Sequence, residues 1–113
     1  PEGNKMLVYF NPQCEYCQAE MEELSQINGK HKNINWVLFS TASMADIQRF
    51  AQYYHLDTAK NIKWCQDSDA MVYQKFSMTG IPYFLGYDAE DKLVHRSTGA
   101  IKIEKVLADF DEK

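Results

Sequence analysis

The sequence predicts a single α/β domain, residues 1–113, with a central mixed β-sheet flanked by helices on both faces. Apolar segments of strand length first alternate with segments of helical periodicity, and two strand-like segments joined by a short acidic turn follow near the C-terminus. The 113 residues, 45% of them apolar, are enough for one globular core. The alternation favours parallel strands between helices, and the late hairpin adds antiparallel strands.

The first half of the chain contains two predicted buried strands, at residues 5–10 and 33–42, which are short and rich in apolar side chains. Residues 14–28 between them predict a helix that Gly29 ends. The apolar side chains of this helix recur at helical intervals on one stripe: Cys17, Met21, Leu24 and Ile27.

The second half begins with a helix that Ser43 caps, with an apolar stripe of Ile47, Phe50, Ala51 and Tyr54. We then expect a short strand at 61–65, a helix from Asp67 or Ser68 to Phe76, hairpin strands at 83–88 and 92–97, and a last helix at 102–110.

Composition excludes several classes of protein. The net charge is −4 and the basic residues are scattered, which argues against nucleic-acid binding. No apolar run approaches the roughly 20 residues that cross a bilayer. Because the sequence begins at Pro1, we interpret it as a processed form or an excised domain, so a signal peptide or membrane anchor would lie outside it.

Cys14 and Cys17 stand three positions apart where the first strand gives way to the first helix. Structural zinc needs four ligands, and neither Cys65 nor His55 forms a second pair at suitable spacing. A disulfide across two residues closes a very small loop and would stabilise the fold weakly. A cysteine at a helix start lies beside unpaired N–H groups and the positive end of the dipole, which favour the thiolate. The placement therefore favours redox chemistry.

Two blocks of sequence, "LVYFNPQCEYC" and "DSDAMVYQKFSMTGIPYFLGYDAEDKLVHRSTG", resemble the thioredoxin superfamily, in particular its TlpA-like thiol–disulfide oxidoreductases. The second block resembles the family's acidic cap, helix, Gly-Ile-Pro, hairpin and final glycine. The resemblance runs from residue 5 to nearly the end of the chain and implies a thioredoxin-like fold. The departures include Gln13, where many members have an aromatic, Val8, where thioredoxins proper have a buried aspartate, and Glu15-Tyr16 in place of Gly-Pro between the cysteines. The family's N-terminal β-hairpin or βα unit is also missing or cut to four residues.

The resemblance implies that Cys14 attacks a substrate disulfide and that Cys17 resolves the mixed disulfide. It implies that Pro82 follows a cis peptide bond and that the backbone of Ile81 binds an extended substrate segment. Tyr16, between the cysteines, is expected near the surface, where it can touch substrate. No cofactor is implied. The expected partners are protein thiols and disulfides and an upstream redox partner, for a monomer in an extracytoplasmic compartment.

The direction of electron flow is expected to be that of a reductant. Glu15 disfavours ionisation next to Cys14, and no cationic residue lies between the cysteines. A pair of this kind is expected to have a potential more negative than about −180 mV.

Two alternatives remain open at this point. A thiol peroxidase shares the fold, but its peroxide-reacting cysteine usually follows a threonine or serine three positions earlier, where this chain has Asn11. A thioredoxin-fold interaction domain with vestigial cysteines is the other. We interpret Cys65 as a small buried hydrophobe. The remaining polar candidates are interpreted as solvated or edge residues without a catalytic role: Glu20, Glu22, Glu23, His31, His55 and His95.

Overall fold

A computed structural model describes residues 3–110 as one five-stranded sheet with helices on both faces, as the sequence predicts. The order of elements is also the predicted one. In chain order they are β1 (Asn4–Tyr9), α1 (Glu15–Ile27), a 3-10 turn (Asn28–Lys30), β2 (Ile34–Ser40), α2 (Met44–Tyr53), β3 (Ile62–Gln66), α3 (Met71–Lys75), β4 (Tyr83–Tyr87), β5 (Leu93–Thr98) and α4 (Ile103–Ala108).

The strands lie in the order β3-β2-β1-β4-β5. The first three are parallel, whereas β4 is antiparallel to both β1 and β5. The predicted combination of early parallel strands and a late antiparallel hairpin is therefore confirmed. Element boundaries differ from the expected ones by one to a few residues, and the last helix is shorter than expected.

The main core lies on the sheet face that α1, α2 and α4 cover. The predicted stripe of α1 is buried there, together with large side chains of the strands such as Trp36 and Phe84. Each fully buried side chain of this size contributes roughly 1.5–3 kcal/mol. A smaller cluster around Tyr9, Tyr83 and Leu85 lies on the opposite face, against residues of α3.

Side chains that bind free backbone N–H groups define the starts of two helices. Ser43 accepts a hydrogen bond from the N–H of Asp46 (3.1 Å), which confirms it as the cap of α2. Asp67 accepts from the N–H groups of Met71 (3.0 Å) and Val72 (2.9 Å) at the start of α3. No helix within residues 3–110 is long and apolar enough to cross a membrane.

The sheet topology brings the two sequence blocks together at one edge. Because β1 and β4 are antiparallel and Tyr9 pairs with Tyr83, the end of β1 lies beside the start of β4. The loop that leaves β1 carries Cys14, and the loop that enters β4 carries Ile81 and Pro82. Cys14 and Ile81, 67 positions apart in the sequence, thus reach the same edge of the sheet.

Candidate active site

The loop between β1 and α1 places Cys14 immediately before the first residue of the helix. The N–H of Cys14 donates to the carbonyl of Asn11 (3.0 Å), and the Asn11 side chain accepts from the N–H of Gln13 (2.9 Å). The side chain of Gln18 reaches back to the carbonyl of Pro12 (2.9 Å). These bonds form a tight turn, so Cys14 becomes the N-cap of α1, with an extended backbone (φ −84°, ψ 119°).

The two sulfurs of the pair occupy different environments. Cys14 is half-buried, Cys17 is fully buried, and both are free thiols. The Sγ of Cys14 accepts a hydrogen bond from the backbone N–H of Cys17 at 3.2 Å. Burial raises the pKa of the Cys17 thiol far above its ordinary value, and its hydrogen bond with Cys14 raises it further. The more accessible sulfur is therefore the one that lies at the start of the helix.

The other predicted site residues lie as follows. Tyr16, which lies between the two cysteines in the sequence, is 63% exposed. The Ile81–Pro82 peptide bond is cis. Ile81 is half-buried against the main core, against which Cys14 also packs, and Pro82 is buried. The carbonyl of Pro82 accepts from the N–H of Gly99 (2.8 Å), which ties the start of β4 to the segment after β5.

A groove runs beside the active-site loop, between that loop and α2. Its volume is about 450 Å³. On the loop side it is lined by Asn11, Pro12 and Gln13, and on the α2 side the ion pair between Asp46 and Arg49 borders it. The groove offers polar surface close to the loop that carries Cys14.

Glu20 is a buried residue of this site that the sequence interpretation placed wrongly in solvent. It is only 4% exposed, one helical turn beyond Cys17. Its Oε2 accepts from the N–H of Ile101 at 2.8 Å, whereas its Oε1 has no hydrogen-bond partner within residues 3–110. Burial raises the pKa of the Glu20 carboxyl, the Ile101 N–H opposes that rise, and the charge of Glu23 adds to it. The available signal was the spacing of three from Cys17, which puts both side chains on one face.

Two further expectations are changed by the structure. Glu23 is half-buried and hydrogen-bonded to the backbone rather than solvated. His95 is also not solvated, since its side chain is 10% exposed and its Nδ1 lies 2.7 Å from Asp109 Oδ2. Its Nε2 lies 2.7 Å from the Oγ of Ser97, so this histidine joins β5 to the end of α4.

Cys65 lies apart from the pair. It is a half-buried residue of β3, one of the two edge strands, and is paired with Phe39 of β2. Burial raises the pKa of its thiol, and nearby Lys63 acts in the opposite direction. Across residues 3–110, no group of three or more histidine, cysteine or acidic side chains is arranged to hold a metal ion.

Comparison with known proteins identifies the family of this chain. A family model described as a thioredoxin-like domain matches residues 2–112. The soluble secreted antigen MPT53 of Mycobacterium tuberculosis is 25% identical over 104 residues, which cover 89% of this chain and 58% of that protein. This chain thus spans little more than half the length of the curated relatives it matches.

Two of the similar solved structures are longer bacterial proteins. A secreted disulfide oxidoreductase of Mycobacterium tuberculosis, homologous to E. coli DsbE, matches with a TM-score of 0.80 and 23% identity, covering 98% of this chain and 82% of that one. StoA from Bacillus subtilis matches with a TM-score of 0.76 and 13% identity, covering 96% and 84%. These likenesses confirm the fold, and the family model over nearly the whole length shows that the chain belongs to the thioredoxin-like domain family.

Proposed function

We propose that this protein is a thiol–disulfide oxidoreductase in which Cys14 attacks and Cys17 resolves. The observation that supports it most directly is the asymmetry of the pair at the start of α1. The half-buried Cys14 sulfur accepts the Cys17 N–H at 3.2 Å, while the Cys17 thiol is buried behind it. An accessible sulfur stabilised by a helix start suits attack, and a shielded partner one turn away suits resolution.

The reaction consists of two thiol–disulfide exchanges. The Cys14 thiolate attacks one sulfur of a substrate disulfide, forming a mixed disulfide and releasing the first substrate thiolate, which takes a proton from solvent. The Cys17 thiolate then attacks Cys14 Sγ and releases the second substrate thiolate. Two electrons pass to the substrate, the protein keeps a Cys14–Cys17 disulfide, and a partner dithiol must reduce that disulfide.

Resolution requires Cys17 to lose a proton although burial opposes its ionisation. Glu20 lies one turn further along the same buried face, and its Oε1 is free of other hydrogen bonds within the described chain. We assign Glu20 as the group that takes this proton. Its pKa, raised by burial, makes the carboxylate a stronger base than an exposed glutamate.

The substrate is proposed to be a protein disulfide presented in an extended segment. Tyr16 offers an exposed aromatic ring next to Cys14, and the loop of Ile81 and Pro82 lies at the same edge of the sheet. A segment bound there would pair with backbone groups beside Ile81. Tyr16→Ala is expected to raise KM for a protein substrate while leaving kcat nearly unchanged, because the ring takes no part in exchange.

The proposed direction is reduction of disulfides made by others. Strongly oxidising pairs owe their potential to a stabilised thiolate, often beside a cation, and here the residue after Cys14 is the acidic Glu15. We expect a potential more negative than about −180 mV. Equilibration with glutathione buffers, read by alkylation of the free thiols, measures it, and a value near about −120 mV would reverse the assigned direction. The secreted relatives favour an extracytoplasmic location.

Insulin reduction by single-cysteine variants tests the division of labour. Cys14→Ser is expected to be inactive, and Cys17→Ser is expected to accumulate mixed disulfides at Cys14, because its resolving sulfur is gone. Cys65→Ala is the matched control and is expected to stay near wild-type turnover, since Cys65 lies on the edge strand β3. Preferential labelling of Cys17 by iodoacetamide in the reduced protein at neutral pH would contradict the assignment.

A further inference from the structure

Two glutamates of α1 bind the backbone that leads into α4. Glu20 Oε2 accepts from the N–H of Ile101 at 2.8 Å. Glu23 accepts from two successive N–H groups, Ile103 to Oε1 at 2.9 Å and Glu104 to Oε2 at 3.3 Å. The helix has no cap of its own, because the Lys102 side chain makes no capping hydrogen bond. Glu23 therefore caps α4 from another helix.

Glu23 also acts electrostatically on Glu20. Cys17, Glu20 and Glu23 follow one another at intervals of three along α1, so each side chain neighbours the next. The charge of Glu23 raises the pKa of Glu20, and the charge of Glu20 raises the pKa of Cys17. A change of charge at the outer end of this row is thus transmitted to the buried thiol.

Solvent reaches this row through a second groove, between α1 and the segment before α4. Its volume is about 320 Å³, and Glu20 and Glu23 line it together with Ala19, Ala100, Ile101 and Lys102. Glu20 is 96% buried, and its Oε1 lacks a partner within residues 3–110, whereas Glu23 is half-buried. The groove therefore connects a nearly inaccessible carboxylate with the surface.

We propose that Glu23 is a positioning residue for proton transfer at Cys17: it holds residues 101–104 so that the Ile101 N–H binds Glu20, and its charge sets the pH range in which Glu20 takes the proton. The inference rests on the proposed function. The proton leaves the Cys17 sulfur for a Glu20 carboxylate oxygen and passes to solvent through the groove, and no electron moves in this step. Within residues 3–110, the charged groups at this junction besides Glu20 and Glu23 are Lys102 and Glu104, and the titratable thiol at the start of α1 is Cys14.

The test measures resolution separately from attack, with Ellman's disulfide as the probe in a Cys65→Ala background. Cys14 releases one thionitrobenzoate in the first phase, and Cys17 releases the second, so the second-phase rate reports resolution. Glu23→Gln keeps an oxygen for the Ile103 N–H but removes the charge. We expect its second phase to be about twofold faster on the acid side, with the acid limb moved to lower pH.

Two comparisons make the result specific. Glu22→Gln removes the same charge from an exposed position of α1 that binds neither residue 101 nor residues 103–104, and its profile is expected to match wild type. Glu23→Ala removes both charge and acceptor, so we expect it to be about two- to tenfold slower than Glu23→Gln at every pH. Should Glu23→Ala fail to fold, the profile of Glu23→Gln decides alone.

The possible failures are distinguishable. Coincident profiles for wild type, Glu22→Gln and Glu23→Gln would overturn the role of Glu23 while leaving the exchange mechanism intact. Absence of a second phase dependent on Cys17 in the wild-type protein would instead overturn the proposed function itself.

Discussion

Glu20→Gln is the substitution that most directly measures how the fold handles a buried carboxyl beside the redox pair. The amide oxygen of the variant can still accept from the Ile101 N–H, which the carboxylate binds at 2.8 Å. Its NH₂ group would take the place of Oε1, which has no partner within the described residues, so a buried donor would be left unpaired. That cost, about 1–3 kcal/mol, is the same at every pH.

The contribution of the wild-type Glu20 carboxyl to the free energy of unfolding, by contrast, depends on pH. At low pH the Glu20 carboxyl is protonated in both the folded and the unfolded protein, so its burial carries no charge penalty there. Burial raises the pKa of this carboxyl in the folded protein only. As pH rises, the unfolded chain gives up its proton first, which favours unfolding by about 1.4 kcal/mol for each unit of pKa elevation. The loss begins near the ordinary glutamate value, about 4.3, and is complete above the raised pKa.

The expected result is therefore a change in the stability difference between the two proteins. From pH 4 to pH 8, the free energy of unfolding of wild type should fall relative to that of Glu20→Gln, and the constant cost of the amide cancels from this change. Urea denaturation of the reduced proteins at several pH values measures it. Glu22→Gln, at an exposed position of α1, should show no such change. A stability difference that stays constant between pH 4 and 8 would refute a raised pKa at Glu20.

Two further predictions concern the fold around the site. Gly86→Ala is expected to lose about 1–3 kcal/mol in urea denaturation, because its Cβ would lie 2.9 Å from the buried ring of Phe110. Gly29→Ala is the control and should be far milder, because its Cβ would meet no atom of residues 3–110 within 4 Å beyond its own chain neighbours. Tyr9→Phe removes the hydroxyl that donates to Asp67 at 2.8 Å and should cost about 1.5–3 kcal/mol at neutral pH. Burial opposes ionisation of Asp67, but hydrogen bonds from Tyr9 and backbone N–H groups hold its pKa below the ordinary value. The loss in Tyr9→Phe should therefore shrink as pH falls through that depressed pKa, and a pH-independent loss would contradict it.

The position of the cysteine pair followed from local sequence because local rules decide it. Pro12 and the apolar stripe beginning at Cys17 indicate where the strand ends and the helix starts, and the structure has Cys14 as the N-cap. Tyr16 was expected at the surface for an equally local reason, its place between the cysteines in the first turn, and it is exposed.

Glu20 could not be placed correctly by the same rules. A glutamate is usually exposed to solvent, whereas a position three residues after the buried Cys17 lies on the core face of α1. The structure follows the spacing, and Glu20 is buried. What makes burial tolerable is the N–H of Ile101, 81 positions further along the chain. His95 shows the same limitation, because its partner Asp109 lies on a different element, at the end of α4. Pairings of this kind depend on how elements pack, which periodicity does not report.

The short segment after β5 connects the two sides of the site. The N–H of Gly99 donates to the carbonyl of Pro82 at 2.8 Å, and two residues later the N–H of Ile101 donates to Glu20. Gly99 has a φ of +88°, a region that favours glycine, so another residue there would strain the backbone by about 1–2 kcal/mol. Relief of that strain would move the loop of Pro82 and the hydrogen bond on Glu20 together, because only Ala100 separates Gly99 from Ile101. A substitution at position 99 is therefore expected to disturb the Pro82 loop and the Glu20 hydrogen bond at once, because both depend on the same three consecutive residues.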